Sequence, residues 1–266
     1  MSLPESVGVY RRSAPRTWAI AALGAVALAA VAVLYRFPAI AQDPSYHLFA
    51  DTRTVLGVPN GLNVLSNGAF AIVAVAGLWL LWSERAILRD RRERWPWLVL
   101  LAAVALTSLG SAWYHLSPSN ETLLWDRLPM AIGFMGLLAA VIAERISPAA
   151  GLRVLGPALL LGLGGVLYWH FTERAGAGDL RPYVLVQFFP LMVIPFMLAL
   201  FAPAYTTGYG FVIALGLYAV AKLTEVGDER IFRLLRVVSG HTLKHLVAAA
   251  AIAALVWMLA RRRPIV

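Results

Sequence analysis

Eight continuous apolar runs, at about 17–35, 62–82, 97–115, 124–143, 154–172, 182–201, 208–223 and 240–260, constrain this chain more than any other feature of its sequence. Each is long enough, or nearly so, to cross a hydrocarbon core as a helix, at roughly 20 residues per crossing. The runs do not alternate with period two, which argues against the strands of a membrane β-barrel. Between them lie breakers and charges, as in Ser83 to Pro96, Ser147 to Gly151, Ala175 to Pro182 and Glu225 to Gly240. Composition agrees: 60% of the residues are hydrophobic and 14% charged, with a mean hydropathy of +0.73, far above the apolar content of roughly 45–50% in soluble domains. A water-soluble globule is excluded. Eight helices with short loops consume the 266 residues and leave no room for a sizeable soluble domain. The expected fold is an all-α integral membrane protein.

The net charge of +9, from 23 basic and 14 acidic residues, has two readings: nucleic-acid binding, or anchoring of cytoplasmic loops. Sorting the arginines by side decides between them. With a cytoplasmic N-terminus and eight spans, thirteen arginines fall inside, clustered at Arg11 to Arg16, Arg85 to Arg94, Arg145 to Arg153 and Arg261 to Arg263. Eight fall outside, from Arg36 to Arg236, mostly diluted by acidic neighbours such as Asp51, Asp126, Glu173 and Asp228. Both termini are then cytoplasmic, the basic clusters are topology anchors, and no nucleic-acid partner is expected. Ala39-Ile40-Ala41 before Gln42 resembles a signal-peptidase site, but the apolar stretch before it is near 18 residues, longer than the roughly 7–15 of a removable leader. An uncleaved signal anchor is therefore expected.

The chain has no cysteine, which excludes disulfides, thiolate zinc sites, iron–sulfur clusters and cysteine nucleophiles; any metal must rest on histidine and carboxylate. Ionisable residues inside a bilayer are costly and mark function by default, especially where several share one depth. The third span ends in Gly110-Ser111-Ala112-Trp113-Tyr114-His115, placing Ser111 and His115 on one face of its outer end. The fourth begins Leu124-Trp125-Asp126-Arg127-Leu128-Pro129 and returns Asp126 to the same level. The eighth opens with His241-Thr242-Leu243-Lys244-His245, two imidazoles one turn apart, a separation that lets both bind one ion.

Three helices thus bring three histidines, an aspartate and a serine to one side of the membrane. Three imidazoles around Zn²⁺ leave a position for water, whose pKa falls to about 7 on binding. Asp126 would take a proton from that water and pass it to the leaving group, and Ser111 would donate to the oxyanion formed on an attacked carbonyl. Each residue also has a plain alternative. The H-x-x-x-H pair alone is weak evidence for metal. Ser111 could serve close helix packing, Asp126 could pair with Arg127 or cap its helix, and Lys244 could snorkel. His47 and His170 read as interfacial or hydrogen-bonded residues, not ligands.

The spacing resembles that of the alkaline ceramidases, within a superfamily of multi-helix membrane hydrolases that also includes the progestin and adipoQ receptors. That family has a serine four residues before a histidine, an aspartate eleven residues after it followed by Leu-Pro-Met, and a late H-x-x-x-H. Ser111, His115, Asp126 with Leu128-Pro129-Met130, and His241 with His245 match in order. Asn63-Val64-Leu65-Ser66-Asn67 is similar to the family's Asn-Thr-Leu-Ser-Asn element. The likeness covers roughly residues 60 to 260.

The resemblance implies a seven-helix hydrolase core over 62–266, preceded by an outer loop at 41–61 and by an additional membrane helix with its cytoplasmic arm at 1–40. It implies a zinc-dependent amidase that hydrolyses ceramide-like lipids to a sphingoid base and a fatty acid. His115, His241 and His245 would be the metal ligands, Asp126 the proton shuttle and Ser111 the oxyanion donor. A membrane lipid would be the substrate, the bacterial inner membrane the location, and the outer, periplasmic side the face of the site. A related ester-hydrolysing activity and a non-enzymatic, receptor-like role are the alternatives. The chain also departs from the family. Animal members carry an acidic calcium-binding segment; here Asn60 aligns with its last carboxylate and no Asp-Trp-x-Glu run precedes it, so the likeness gives calcium little support. Lys244 stands where those ceramidases commonly have tryptophan. Lys222 to Arg236, with Glu225, Asp228 and Glu229, reads as a solvated loop or as part of a polar entrance.

Overall fold

A computed structural model describes residues 17–265. The basic arm with Arg11, Arg12 and Arg16 lies outside them. The helices are α1 (Thr17–Leu34), α2 (Gly61–Leu65), α3 (Gly68–Trp82), α4 (Arg94–Leu116), α5 (Asn120–Arg145), α6 (Pro148–Arg174), α7 (Arg181–Leu200), α8 (Tyr209–Val226), α9 (Asp228–Leu235) and α10 (Gly240–Arg261). Taking α2 and α3 as one interrupted span, eight are long and apolar enough to cross a membrane, and no strand forms among the described residues. The protein is all-α, as its apolar runs require.

Several helices extend past their apolar runs because polar residues cap them. Ser119 closes a capping box with Thr122 at the start of α5, Ser147 accepts from the Ala150 amide ahead of Pro148 in α6, and Ser239 accepts from the Thr242 amide at α10. The break between α2 and α3 has an equally local origin. Ser66 Oγ and Asn67 Nδ2 both donate to the Asn63 carbonyl, at 3.1 and 2.8 Å, so side chains compete with the backbone ladder.

Spans α3, α4, α5 and α6 pack as successive neighbours; α7 lies on α5 and α6, and α10 joins α8 to α3. The most deeply buried span is α5, whereas α1 leans on α7 and buries only Ala19. The extra helix expected from the sequence is therefore an outrigger to a seven-span bundle. Close approaches need glycine at two points. A Cβ on Gly110 would lie 2.0 Å from the Trp125 carbonyl oxygen, and one on Gly240 would lie 2.1 Å from that of Thr224. The first brings α4 against α5 beside Ser111 and Asp126; the second presses the start of α10 onto the α8–α9 junction.

The segment 225–239, read from sequence as a loop, contains α9. Its Asp228 and Glu229 occupy the first turn, where the helix dipole favours acids, and Leu234 and Leu235 are exposed. At the end of the bundle away from the histidines, Arg262 is fully buried between Glu144 at 3.0 Å and Glu93 at 3.5 Å, with its guanidinium 3.9 Å from the Tyr205 ring centre.

Candidate metal centre

His115 sits in the last turn of α4, His241 in the first turn of α10 and His245 one turn further on. All three are buried, and together they form a group able to hold a metal ion. Nε2 of His115 is 3.2 Å from Nε2 of His245 and 3.3 Å from Nε2 of His241. A tetrahedral ion with metal–nitrogen bonds of about 2.0–2.1 Å places its donor atoms about 3.3–3.4 Å apart, which these two spacings match, and the ligand atoms of all three histidines lie within 4.8 Å of one another. Lys244 Nζ, which has only donors, lies 2.9 Å from the same His241 Nε2. A metal ion and this ammonium therefore compete for one lone pair, and an ion held there would leave Lys244 to Glu225, 3.0 Å away.

The surrounding groups orient these rings. Ser66 Oγ is 2.7 Å from His245 Nδ1, leaving Nε2 to face the cluster. Asn63 Oδ1 accepts from Thr242 Oγ1 at 2.7 Å, and Asp228 accepts from the His241 and Ala50 amides at 2.7 and 3.0 Å. These bonds tie the first turn of α10 to α2, α9 and the loop before α2. Asn60, in left-handed conformation at φ 49°, donates from Nδ2 to the His115 carbonyl at 2.9 Å. Asn60 thus secures the end of α4. Phe49 covers the cluster, its ring centre 4.7 Å from those of both His115 and His241. In the same loop Arg53 grips Asp51 through two nitrogens and also donates to the Val237 carbonyl, which holds the Asp51 carboxyl below the usual carboxylate range against the opposing effect of burial.

Ser111, Asp126 and His245 line one cavity of about 290 Å³. Asp126 Oδ1 is buried with no hydrogen-bond partner among the described residues. Asp126 neither pairs with Arg127 nor caps its helix, since Ser119 caps α5 and Arg127 donates to Gln42 Oε1 at 2.7 Å. Close packing beside Ser111 falls to Gly110. His47 bridges Tyr114 Oη and Asn120 Oδ1, both at 3.0 Å, and His170 packs beside the Trp169 and Phe171 rings. Both stand apart from the metal group.

Other site residues were invisible to sequence spacing. Glu225 at the end of α8 pairs with Lys244 at 3.0 Å and with Lys222, so Lys222 and Glu225 of the 222–236 segment belong to the cavity wall. The i, i+3 spacing of Lys222 and Glu225 was the available signal, but nothing local tied either to α10. Beyond the polar end the cavity runs between apolar side chains of α5, α8 and α10 to the level of Leu137 and Leu255. On α5 this is eleven residues below Asp126, or about 16 Å at 1.5 Å per residue. Few residues of α7 and α8 approach one another closely. Side chains span the interval, with Gln187 Nε2 donating to Tyr218 Oη at 2.8 Å and Lys222 Nζ 6.0 Å from the Phe188 ring centre. Comparison of the chain with protein-family models, curated proteins and solved structures finds no match.

Proposed function

We propose that this protein is a zinc-dependent intramembrane lipid amidase, similar to the alkaline ceramidases, that cleaves the amide of ceramide-like lipids to a long-chain base and a fatty acid. The observation carrying the reading is the convergence of three histidine Nε2 atoms, one of them on His245 in the wall of an apolar cavity that also presents Asp126 and Ser111. A divalent cation held by imidazoles supplies Lewis acidity and makes bound water acidic near neutral pH. Zinc is the reading for a three-histidine set, from among the metals that imidazole suits.

The chain's own groups then have distinct tasks. Asp126, with a buried and unpartnered carboxylate oxygen, accepts a proton from the attacking water and returns it to the leaving amine. The Ser111 hydroxyl donates to the acyl oxygen as negative charge builds there. Phe49 excludes bulk water from above, and the apolar shaft takes the acyl chain. Because few close contacts hold α7 to α8 and a side-chain hydrogen bond bridges them, this interval is the route by which a lipid enters sideways.

The test is purified protein assayed for zinc by elemental analysis and for products by mass spectrometry with a ceramide substrate. One zinc per chain and release of base and fatty acid are expected, with loss of hydrolysis in Asp126→Ala and His241→Ala. Ample turnover by metal-free His241→Ala protein would refute the reading. The same proposal puts both termini in the cytoplasm of a bacterial inner membrane and the histidines towards the periplasm. Reporter fusions in the 83–96 and 225–239 segments should read inside and outside respectively.

A further inference from the structure

The polar end of the cavity holds more positive than negative charge. Three cations, Arg127, Lys222 and Lys244, face two carboxylates, Asp126 and Glu225. Both lysines are engaged by Glu225. Arg127 is different. It is 5% exposed, and among the described residues it has no carboxylate in ion-pair reach; its named polar contact is the neutral amide of Gln42, and its Nη1 is buried without a partner. Three rings box it in, with the guanidinium carbon 4.2 Å from the centre of Trp169, 4.7 Å from Tyr183 and 5.4 Å from Tyr46. Aromatic faces hold a guanidinium in place but do not use its N–H groups, which stay in its plane.

A buried cation with an unused donor is costly unless something completes it. We infer that Arg127 is the receptor for an anionic group, a carboxylate or phosphate on the headgroup of the lipid that occupies the cavity. The planar guanidinium fork matches both groups. The position adjoins Asp126, so a headgroup held there belongs to the same molecule whose amide reaches the histidines. The inference deepens the hydrolase reading and rests on it only for the word substrate: among ceramide-like amides it makes those with an acidic headgroup the preferred ones.

Binding can be measured apart from turnover. Hexadecanesulfonyl-glycine and hexadecanesulfonyl-ethanolamine share one chain, carry an uncleavable sulfonamide, and differ by a carboxylate against a hydroxyl. Titrated against zinc-loaded protein in nanodiscs of neutral lipid, the glycine compound should bind at least tenfold tighter. Arg127→Gln, which keeps an amide for Gln42, should abolish that preference and leave the affinity for the ethanolamine compound unchanged; Arg127→Lys should retain part of it. N-acetylglycine, with the carboxylate but no chain, should fail to displace the lipid. Equal binding of the two lipids to wild-type protein overturns the inference even if neither variant folds. So does a preference that survives Arg127→Gln, or displacement by millimolar N-acetylglycine. A carboxylate preference in a protein that hydrolyses no amide would sink the amidase reading and leave this site standing.

Discussion

The Ser66 hydroxyl and the Nδ1 atom of His245 are 2.7 Å apart, a contact that links the break between α2 and α3 to a candidate metal ligand on α10. Removing an outer partner of a ligating imidazole typically weakens metal binding by about 10–100-fold. Ser66→Ala should show a loss of that order in competition with a calibrated chelator. Unaltered affinity would mean that packing alone aims the ring.

Three buried imidazole lone pairs without a cation leave the bundle weaker. A site saturated to about 1,000 times its dissociation constant adds about 4 kcal/mol to stability. Chelation should lower Tm in wild-type protein, added zinc should restore it, and His115→Ala protein should melt alike with and without chelator. A chelator effect that persists in His115→Ala would place the metal elsewhere.

Gly110→Ala puts a methyl group 2.0 Å from the Trp125 carbonyl oxygen. Overpacking of this kind costs about 1–3 kcal/mol, so Tm should fall by several degrees. The helices must part beside Ser111 and Asp126, and catalytic loss should exceed any loss of bound zinc. An unchanged Tm would show that α4 and α5 slide apart freely.

At the opposite end of the bundle, Arg262→Met would take from Glu144 and Glu93 the buried cation they share, while Glu144 keeps Arg145 at 3.6 Å and Glu93 keeps the Tyr205 hydroxyl at 2.6 Å. Breaking a buried pair from one side costs at most about 3–5 kcal/mol where other partners remain. Thermal unfolding in detergent should show a large drop in Tm, with zinc content per folded chain unchanged. If zinc falls in step with Tm, the two ends are coupled and the cluster is more than a brace.

Asp51 offers a pH signature. Its hydrogen bonds from Arg53 lower its pKa in the folded protein, so the stabilisation is present above the ordinary carboxylate value of about 3.9 and is lost as pH falls through the lower folded value. The Tm gap between wild type and Asp51→Asn should hold steady at neutral pH and close below about pH 4. Arg53 is half exposed, so the gap will be small. A gap that widens in acid would reverse the assigned sign.

The spans were legible because a bilayer needs about 20 consecutive apolar residues, and few other environments tolerate them. Their ends were less so: Asn120 to Leu123 and Pro148 to Arg153 are helical by virtue of Ser119 and Ser147, whose capping is chemistry that hydropathy does not register. The eight residues of α9 were too few and too polar to register as a membrane run. His241 and His245 could be paired from sequence because one turn separates them, and His115 and Asp126 because a short loop returns α5 beside α4. Ser66, Glu225 and Arg127 could not be placed, since each meets its neighbours through contacts between distant helices.

Gln187 and Tyr218 bridge two helices that share few close contacts. A guest passing between them arrives from a two-dimensional solvent, and its effective abundance is its mole fraction in the surrounding leaflet. Diluting it with inert lipid at constant total amount should slow loading, whereas doubling the buffer volume should not.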